Sequence, residues 1–116
     1  MVSSKTRAVL WARGAGRCHF CNKSLIGDLV SGNDDRIFGL IAHIVSEEPN
    51  GPRGDPIRSL LLEDDPANLM LMCCEHHKLI DVDELASYPE ARLIAMKARH
   101  EDRIARFTAV QPDLTD

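Results

Sequence analysis

The sequence predicts a small α+β domain in which a bound metal ion supplements a modest hydrophobic core. Two observations carry this prediction. Segments of strand and helix character follow one another along the 116 residues, and the four cysteines fall into two close groups. Apolar residues make up 44% of the chain but aromatic residues only 4%, so the core depends on aliphatic side chains and methionine. A core of this size often needs a covalent or metal staple.

The first half of the chain predicts a helix, a strand and a loop. Serines open the stretch "SSKTRAVLWARGAG" and glycines close it, which predicts a short helix with Ser3 or Ser4 as its N-cap. The β-branched and apolar residues from Arg36 to Val45 predict a strand. Prolines and glycines in residues 46–56 exclude regular structure, so this segment is predicted to be a loop.

The second half predicts a short strand and two helices. The apolar stretch "NLMLMC" predicts the strand, and "EHHKLIDVDEL" predicts a helix after it. Pro89 is predicted as the first residue of a last helix that runs to about Phe107. The inward side of this helix is predicted at Leu93, Met96, His100, Ile104 and Phe107. Residues 1–107 are therefore expected to form one domain, and residues 108–116 a polar tail or the start of a linker.

Charge and hydropathy limit the functional classes. The net charge of −4 gives no support to tight non-specific binding of nucleic acid, although residues 1–30 carry a net charge of +4. A basic face at this end and an ordinary solvated surface are both compatible with that pattern. The chain contains no apolar run that could span a membrane and no signal-peptide pattern, so a cytoplasmic protein without a membrane partner is expected. Thiols stay reduced in the cytoplasm, which favours metal binding over a disulfide.

Two half-sites of metal-ligand spacing are the strongest local signal. Cys18 and Cys21 form one half-site and Cys73 and His76 the other, with 51 residues between them. Two residues between ligands allow a tight turn to point both donors at one ion, and three thiolates with one imidazole suit a structural Zn²⁺. The alternative is a buried cysteine pair beside a chance cluster. The remaining cysteine, Cys74, is expected to pack or to be partly exposed, and it is the alternative ligand to Cys73.

Three polar residues interleave with these half-sites in a specific order. His43 lies in an apolar strand, Asn68 precedes the second strand, and His77 follows the proposed zinc ligand His76. The order Cys-x-x-Cys, His, Asn, Cys-x-x-His-His, over residues 18–81, resembles the HNH endonucleases of the ββα-metal class. The stretches "AHIVSEEPNGPRGD" and "NLMLMCCEHHKLID" look closest to the HNH domains of CBASS antiphage effectors, in which a SAVED sensor domain follows the nuclease. Restriction-type HNH nucleases, which cut modified DNA, are the next most similar group.

The resemblance implies a zinc-stapled ββα-metal fold with flanking helices, and it implies roles for the three residues. His43 would act as the general base that takes a proton from the attacking water, and Asn68 would orient the surrounding loop. His77 would bind a catalytic divalent ion, Mg²⁺ or Mn²⁺, in addition to the structural Zn²⁺. The substrate would be double-stranded DNA, and self-association and a C-terminal SAVED domain are further expectations.

One position departs from the pattern of the family. Most members carry a metal ligand directly before the strand histidine, where this chain has Ala42. Asp81 is the candidate replacement, because a residue four positions after His77 on a helix lies on the same face. The alternative for Asp81 is a solvated charge or a partner of a neighbouring cation. Arg53, in the loop, could contact a phosphate, or it could be incidental to a turn.

The departure at position 42 keeps other functional interpretations open. One is a zinc-stapled nucleic-acid-binding module whose nuclease motif has decayed. Another is a zinc-folded fragment that is inactive without a neighbouring domain. The basic residues of the last helix are balanced by acids, so that helix is expected to serve packing or dimerisation before DNA contact.

Overall fold

Two antiparallel strands and four α-helices build the fold in the computed structural model, which describes residues 1–27 and 39–109. In chain order the elements are α1 (Ser4–Gly14), β1 (Leu40–His43), α2 (Arg58–Leu62), β2 (Leu69–Met72), α3 (Cys74–Lys78) and α4 (Glu90–Phe107). Short 3₁₀ turns lie at Pro66–Asn68 and Leu85–Ser87, and a π-helical turn follows α3 at Leu79–Asp83. The predicted α+β class is confirmed.

Helix α1 begins and ends as its sequence predicts. The Ser3 hydroxyl accepts a hydrogen bond from the Thr6 amide and caps the N-terminus. At the other end Ala15 adopts a left-handed conformation with φ 55°, and its amide donates to the Ala12 carbonyl. Gly14 lies against the core, where a Cβ atom would come within 3.0 Å of both the His19 ring and the Leu71 side chain. A glycine is therefore required for the close approach at the end of this helix.

The two strands form an antiparallel ladder in which β2 is the buried member. Leu40 pairs with Met72 and His43 pairs with Leu69 at the two ends of the register. All four residues of β2 are fully buried, so neither face of this strand is exposed to solvent. This explains why its sequence is a continuous apolar run and not an alternation of apolar and polar residues. The core around it is completed by side chains from the helices and loops, which include Leu10, Leu25, Ile44, Ile80 and Leu93.

Strand β1 is shorter than the prediction of Arg36 to Val45. Residues 36–38 lie outside the described residues, and the ladder ends at His43. Beyond that point the Val45 amide donates to the side-chain oxygen of Asn68, 2.9 Å away, rather than to a strand. The side chain of Asn68 thus takes the place of the next strand partner. The predicted loop at 46–56 is confirmed, because this segment contains no helix or strand.

The helical region after β2 has more parts than the sequence suggests. Helix α3 gives way to the π-helical turn at Leu79, and the helical run ends at Glu84. Pro89 was predicted as the first residue of α4 but is its N-cap, with an extended ψ of 164°. Extended backbone suits a cap residue, and the ring of proline needs no amide partner there. The predicted tail begins with Thr108 and Ala109, and residues 110–116 lie outside the described residues.

The buried face of α4 differs in part from the predicted one. Leu93 and His100 are buried as predicted, but Lys97 is also buried, and Phe107 is 77% exposed. Lys97 is buried with its ammonium donating to the Glu101 carboxylate, and Phe107 is the last residue of the helix. No helix within residues 1–27 and 39–109 is both long and apolar enough to cross a membrane.

Candidate functional site

The two predicted half-sites meet at one point in the fold. The ligand atoms of Cys18, Cys21, Cys73 and His76 all lie within 4.8 Å of one another. Sulfur atoms bound to one tetrahedral Zn²⁺ at ~2.3 Å are about 3.8 Å apart, so this group can close around such an ion with small adjustments. The Nδ1 atom of His76 lies 3.1 Å from the Cys73 sulfur, which makes Nδ1 the ligand atom of this histidine. The cluster can therefore hold a metal ion such as zinc, as predicted.

Backbone hydrogen bonds shape the Cys18 half-site before any metal binds. The Cys18 amide donates to the Lys23 carbonyl and the Asn22 amide donates to the Cys18 carbonyl, which closes a tight turn. Asn22 adopts a φ of 64°, a left-handed conformation that asparagine tolerates better than most residues. The amides of Phe20 and Cys73 each lie 3.4 Å from the Cys18 sulfur and donate to it. These donors stabilise a thiolate at Cys18 when a metal is bound.

Exposure distinguishes the four cysteines. Cys18 and Cys73 are buried, whereas Cys21 and Cys74 are exposed at the surface. Partial desolvation and the neighbouring thiols of Cys18 and Cys73 raise the pKa of Cys21 to about 11 in the absence of metal. Cys74 is outside the ligand cluster, in agreement with the expectation that it is exposed and that Cys73 is the ligand.

Aromatic packing fixes the His76 ring. Phe20 stacks on it with a centroid distance of 4.1 Å and an interplanar angle of 12°. Tyr88 packs against Phe20 from the far side, and the Arg92 guanidinium lies over the Tyr88 ring. This stack joins the Cys18 half-site, α3 and the start of α4, so the candidate zinc centre is embedded in the fold.

A buried polar network lies behind the Cys18 half-site, and the sequence did not indicate it. The Nδ1 atom of His19 accepts a hydrogen bond from the Leu71 amide at 2.9 Å, so the proton of the neutral ring is on Nε2. Nε2 then donates to the Glu101 carboxylate at 2.9 Å, and the buried Lys97 ammonium donates to the same oxygen. Desolvation alone would raise the pKa of Glu101, but the hydrogen bonds from His19 and Lys97 outweigh it and lower that pKa to about 2.

His100 completes this network as a buried, neutral histidine. Its Nε2 donates to the Gly14 carbonyl at 3.1 Å, and its ring lies 4.7 Å from the ring of His19. Burial lowers the pKa of His100 below its usual range. Neither histidine belongs to the metal cluster, and both serve to hold α1, β2 and α4 together.

A separate cleft brings together two of the predicted catalytic residues, His43 and His77, and the candidate metal ligand Asp81. His43, His77 and Asp81 line one opening of about 260 Å³. Its other lining residues are Ile41, Ser46, Glu47, Glu48 and Pro52. The Nε2 atom of His77 lies 3.4 Å from an Asp81 oxygen, so the expectation that Asp81 lies beside His77 is confirmed. A strand, a loop and a helix with its π-helical turn thus supply the residues of this cleft.

Hydrogen bonding assigns the tautomer of His43. Its Nε2 atom lies 2.9 Å from the Glu63 carbonyl oxygen, which can only accept, so the proton of the neutral ring is on Nε2. Nδ1 consequently carries the lone pair, and it has no hydrogen-bond partner among the described residues. The ring is half-buried at the wall of the cleft. This arrangement gives His43 a fixed orientation and one basic nitrogen.

Asn68 holds the segments on both sides of His43. Its side-chain oxygen accepts from the Val45 amide, and its side-chain nitrogen donates to the carbonyls of Val45 and Leu62 at 2.9 and 3.1 Å. Leu62 precedes Glu63, whose carbonyl holds the His43 ring. The side chain of Asn68 therefore fixes the end of β1 and the end of α2 relative to each other without reaching the cleft itself.

The burial of Ala42 explains why a donor there is not available to the cleft. In a strand neighbouring side chains point to opposite faces, and Ala42 is 1% exposed within the core while Ile41 and His43 line the cleft. A metal ligand at position 42 would point away from His77 in this structure. The alanine fills a core position.

Arg53 has a different role from the predicted phosphate contact. Its side chain is 8% exposed, and its Nε atom donates to the Ile44 carbonyl at 2.6 Å. Its terminal nitrogens donate to the Ile80 and Tyr88 carbonyls and to the Asp81 carboxylate. Four of the five N–H groups of this guanidinium already donate to protein acceptors, so it is not free to bind a phosphate.

Three further charged residues line this cleft or the cleft beside it and were not predicted as site residues. Glu47 and Glu48 line the cleft that holds His43 and His77, and Arg7 lines a second cleft of about 480 Å³ that shares Ile41, His43 and Glu47 with it. The guanidinium of Arg7 is exposed and makes no ion pair or hydrogen bond within the described part of the chain. The concentration of basic residues at the N-terminal end was the one signal that pointed towards Arg7.

Comparison with models of known protein families and with curated proteins finds no match to this chain.

Proposed function

We propose that this chain is a metal-dependent DNA endonuclease of the HNH type. The observation that carries the proposal is the cleft in which His43 faces the pair formed by His77 and Asp81. The order of two antiparallel strands followed by a short helix, with a candidate zinc centre at the helix start, supports a ββα-metal fold. Hydrolysis of a phosphodiester needs a base for the attacking water and positive charge for the phosphate, and this cleft offers residues for both.

His43 supplies the base in this mechanism. Nδ1 accepts a proton from the water that attacks the phosphorus, while Nε2–H remains bonded to the Glu63 carbonyl. That carbonyl stabilises the imidazolium formed in the step, because its dipole points at the positive ring. The pairing also prevents the ring from turning its basic nitrogen away from the cleft.

His77 and Asp81 would hold the catalytic ion. Adjacent ligands of an octahedral Mg²⁺ at ~2.1 Å are about 3 Å apart, and the 3.4 Å between the His77 nitrogen and the Asp81 oxygen is close to this value. A bound Mg²⁺ or Mn²⁺ would stabilise the charge that develops on the phosphate and on the leaving oxygen. Two protein ligands leave room for water and substrate phosphate, which Mg²⁺ accepts readily.

The biological setting rests on the resemblance of the motifs. Double-stranded DNA is the proposed substrate, and an antiphage effector role with a C-terminal SAVED domain and self-association is the proposed context. Cross-linking or fusing two copies of the chain tests the last point, since a requirement for self-association predicts that linked copies cut faster than free ones.

A nucleic-acid-binding module without nuclease activity is the second candidate function. The observation that favours it is that, over residues 1–27 and 39–109, the Cys₃His cluster is the only group of three or more donors close enough to hold a metal. The cleft offers two adjacent donors instead of three. Metal-dependent cleavage separates the two candidates, because only the endonuclease requires a second ion.

Plasmid nicking is the test of the proposed function. The zinc-loaded protein is incubated with supercoiled plasmid and Mg²⁺ or Mn²⁺, without added metal, and with EDTA, and zinc content is measured in each sample. Replacement of His43 by alanine should reduce the cleavage rate by about 100- to 10,000-fold, the usual contribution of a general base. Unchanged cleavage by zinc-loaded His43→Ala would contradict the mechanism, and DNA binding without cleavage under all conditions would favour the binding module.

A further inference from the structure

Arg53 connects the two halves of the proposed active site. One nitrogen of its guanidinium reaches the carbonyl of Ile44, directly after the general-base candidate His43. The others reach the Ile80 carbonyl and the Asp81 carboxylate on the π-helical turn. The loop that carries Arg53 therefore acts as a bridge between the end of β1 and the segment that holds the metal-ligand candidate.

The two oxygens of the Asp81 carboxylate have different partners. One oxygen, Oδ1, accepts from Arg53 at 2.5 Å, and the other, Oδ2, lies 3.4 Å from the Nε2 atom of His77. Because Arg53 takes the first oxygen, the carboxylate plane is fixed and the second oxygen is directed to the histidine. An aspartate at this position without the arginine would rotate and could point away from His77.

The backbone of Arg53 shows that its side-chain contacts outweigh a conformational penalty. The residue adopts a φ of 56°, a left-handed conformation that an L-residue other than glycine adopts only at an energetic cost. Its neighbour Gly54 has no room for a side chain, since a Cβ atom would lie 2.3 Å from the Pro49 carbonyl oxygen. Such strain persists where surrounding contacts hold the residue, and here four hydrogen bonds from a buried guanidinium do so.

We propose that Arg53 is a positioning residue that sets Asp81 as the second ligand of the catalytic divalent ion. This inference rests on the proposed function and adds a residue that acts on the metal site through Asp81, not on the DNA. Arginine suits this role better than lysine, because its three nitrogens donate in fixed, separate directions to Ile44, Ile80 and Asp81, whereas the three N–H groups of lysine radiate from one atom.

The small number of protein ligands has a consequence for the ion. His77 and Asp81 leave most coordination positions to water, so the ion should bind weakly in the absence of DNA. Substrate phosphate would then complete the ligand set. The activity of the parent should accordingly require millimolar rather than micromolar Mg²⁺.

The test measures Mn²⁺ binding and cleavage in the same zinc-loaded proteins. Arg53→Lys, Arg53→Gly and Asp81→Asn are compared with the parent by Mn²⁺ electron paramagnetic resonance without DNA, and by plasmid nicking over a range of Mn²⁺ concentrations. Glycine adopts a φ of 56° without strain, so Arg53→Gly should fold even if Arg53→Lys does not. It then provides the second measurement of the loss of the Arg53 side chain. Arg58→Lys is the matched control, since Arg58 pairs at the surface with Glu90.

Arg53→Lys and Arg53→Gly should each weaken Mn²⁺ binding by about tenfold and raise the half-saturating Mn²⁺ concentration by a similar factor, with the KM for DNA unchanged. Asp81→Asn should do the same, and the double variant Arg53→Lys with Asp81→Asn should be no worse than Asp81→Asn alone, because both act through one carboxylate. The control Arg58→Lys should leave both quantities at the parental value.

Several results would overturn the proposal. A raised KM for DNA with unchanged Mn²⁺ binding would make Arg53 a DNA contact, and additive effects of the two substitutions would remove the link through Asp81. Absence of Mn²⁺ binding in the folded, zinc-loaded parent would also reject it. Parental Mn²⁺ binding that responds to Arg53 as described, without any cleavage of DNA, would instead reject the proposed nuclease function and leave the role of Arg53 standing.

Discussion

The His43 imidazole and the groups that hold it define the proposed chemistry at the scale of single residues. Its Nε2 is held by a backbone carbonyl, which leaves Nδ1 as the basic atom. A backbone acceptor cannot be lost by substitution, so the orientation of His43 depends on the position of residue 63. The Asn68 side chain controls that position through Leu62.

Replacement of Asn68 by alanine should therefore affect both stability and cleavage. It removes three hydrogen bonds, two of them buried, and leaves backbone groups of Val45 and Leu62 without these partners. We expect a loss of about 3 kcal/mol, which for a domain of this size lowers Tm by roughly 10 °C. Thermal denaturation followed by circular dichroism measures the change. The control is the variant Asn50→Ala, because Asn50 is exposed in the loop. A fall in Tm no larger than that of the control would contradict the role of Asn68.

At the scale of secondary-structure elements, helices α1 and α4 have different roles. Helix α1 contributes Arg7 to the rim of the larger cleft that contains His43, and it packs on the core through Leu10. Helix α4 contributes Glu101 and Lys97, which secure the Cys18 half-site from behind. One helix therefore faces the proposed substrate and the other supports the candidate zinc centre.

Substitution of Arg7 by alanine should weaken DNA binding without destabilising the protein. Its exposed guanidinium lines the cleft that contains His43, and under the proposed function it would meet a phosphate near the scissile one. The KM for DNA should rise severalfold, kcat should stay within about twofold, and the slope of log K against log salt should decrease by about 1. Steady-state cleavage at several salt concentrations measures these values. Equal effects of Arg13→Ala, on the same helix but away from this cleft, would indicate a general charge effect instead.

Substitution of Glu101 by glutamine should destabilise the protein at neutral pH. The folded-state pKa of about 2 lies below the unfolded value near 4.5, so the stability from this carboxylate is present above pH 4.5 and is lost as pH falls towards 2. We expect Glu101→Gln to be less stable than the parent by about 2 kcal/mol at pH 7.

Urea denaturation at several pH values provides the measurement. The matched control is Asp102→Asn, because Asp102 is exposed and pairs with Arg106 on the surface of α4. Zinc is released at acid pH, so the comparison runs from pH 7 down to the lowest pH at which zinc analysis still finds the ion bound. A Glu101→Gln variant as stable as Asp102→Asn at pH 7 would show that the carboxylate charge does not matter.

At the scale of the whole molecule, the candidate zinc centre joins the turn after α1 to the start of α3. Its four ligands come from two segments that are far apart in the chain, and the second segment directly follows the fully buried strand β2. A structural Zn²⁺ contributes about 10–16 kcal/mol, as much as the entire stability of a typical small domain, about 5–15 kcal/mol.

Removal of the metal should therefore unfold the protein. Chelation at neutral pH should abolish the cooperative thermal transition, and Cys18→Ser should prevent zinc uptake. Cys74→Ser should keep one zinc ion per chain and change Tm by no more than about 2 °C, since Cys74 is exposed and outside the cluster. Zinc analysis and thermal denaturation test this. A cooperative transition in the metal-free protein at an unchanged temperature would rule out a structural role for the ion.

The sequence by itself determined the features that depend on local spacing. The four metal ligands could be identified because a Cys-x-x-Cys or Cys-x-x-His turn brings two donors to one ion whatever the rest of the fold does. The positions of α1 and β2 and the proximity of His77 and Asp81 follow from caps, apolar runs and helical geometry in the same way.

Only the tertiary structure decided which polar residues find each other across the chain. His19 meets Glu101, 82 residues away, and the same carboxylate accepts from the buried Lys97. The direction of Ala42 into the core and the contact of Arg53 with Asp81 are likewise set by how β1, the loop and the π-helical turn pack. The physical reason is that hydrogen bonds and burial between distant segments depend on three-dimensional placement, for which local propensity carries no signal.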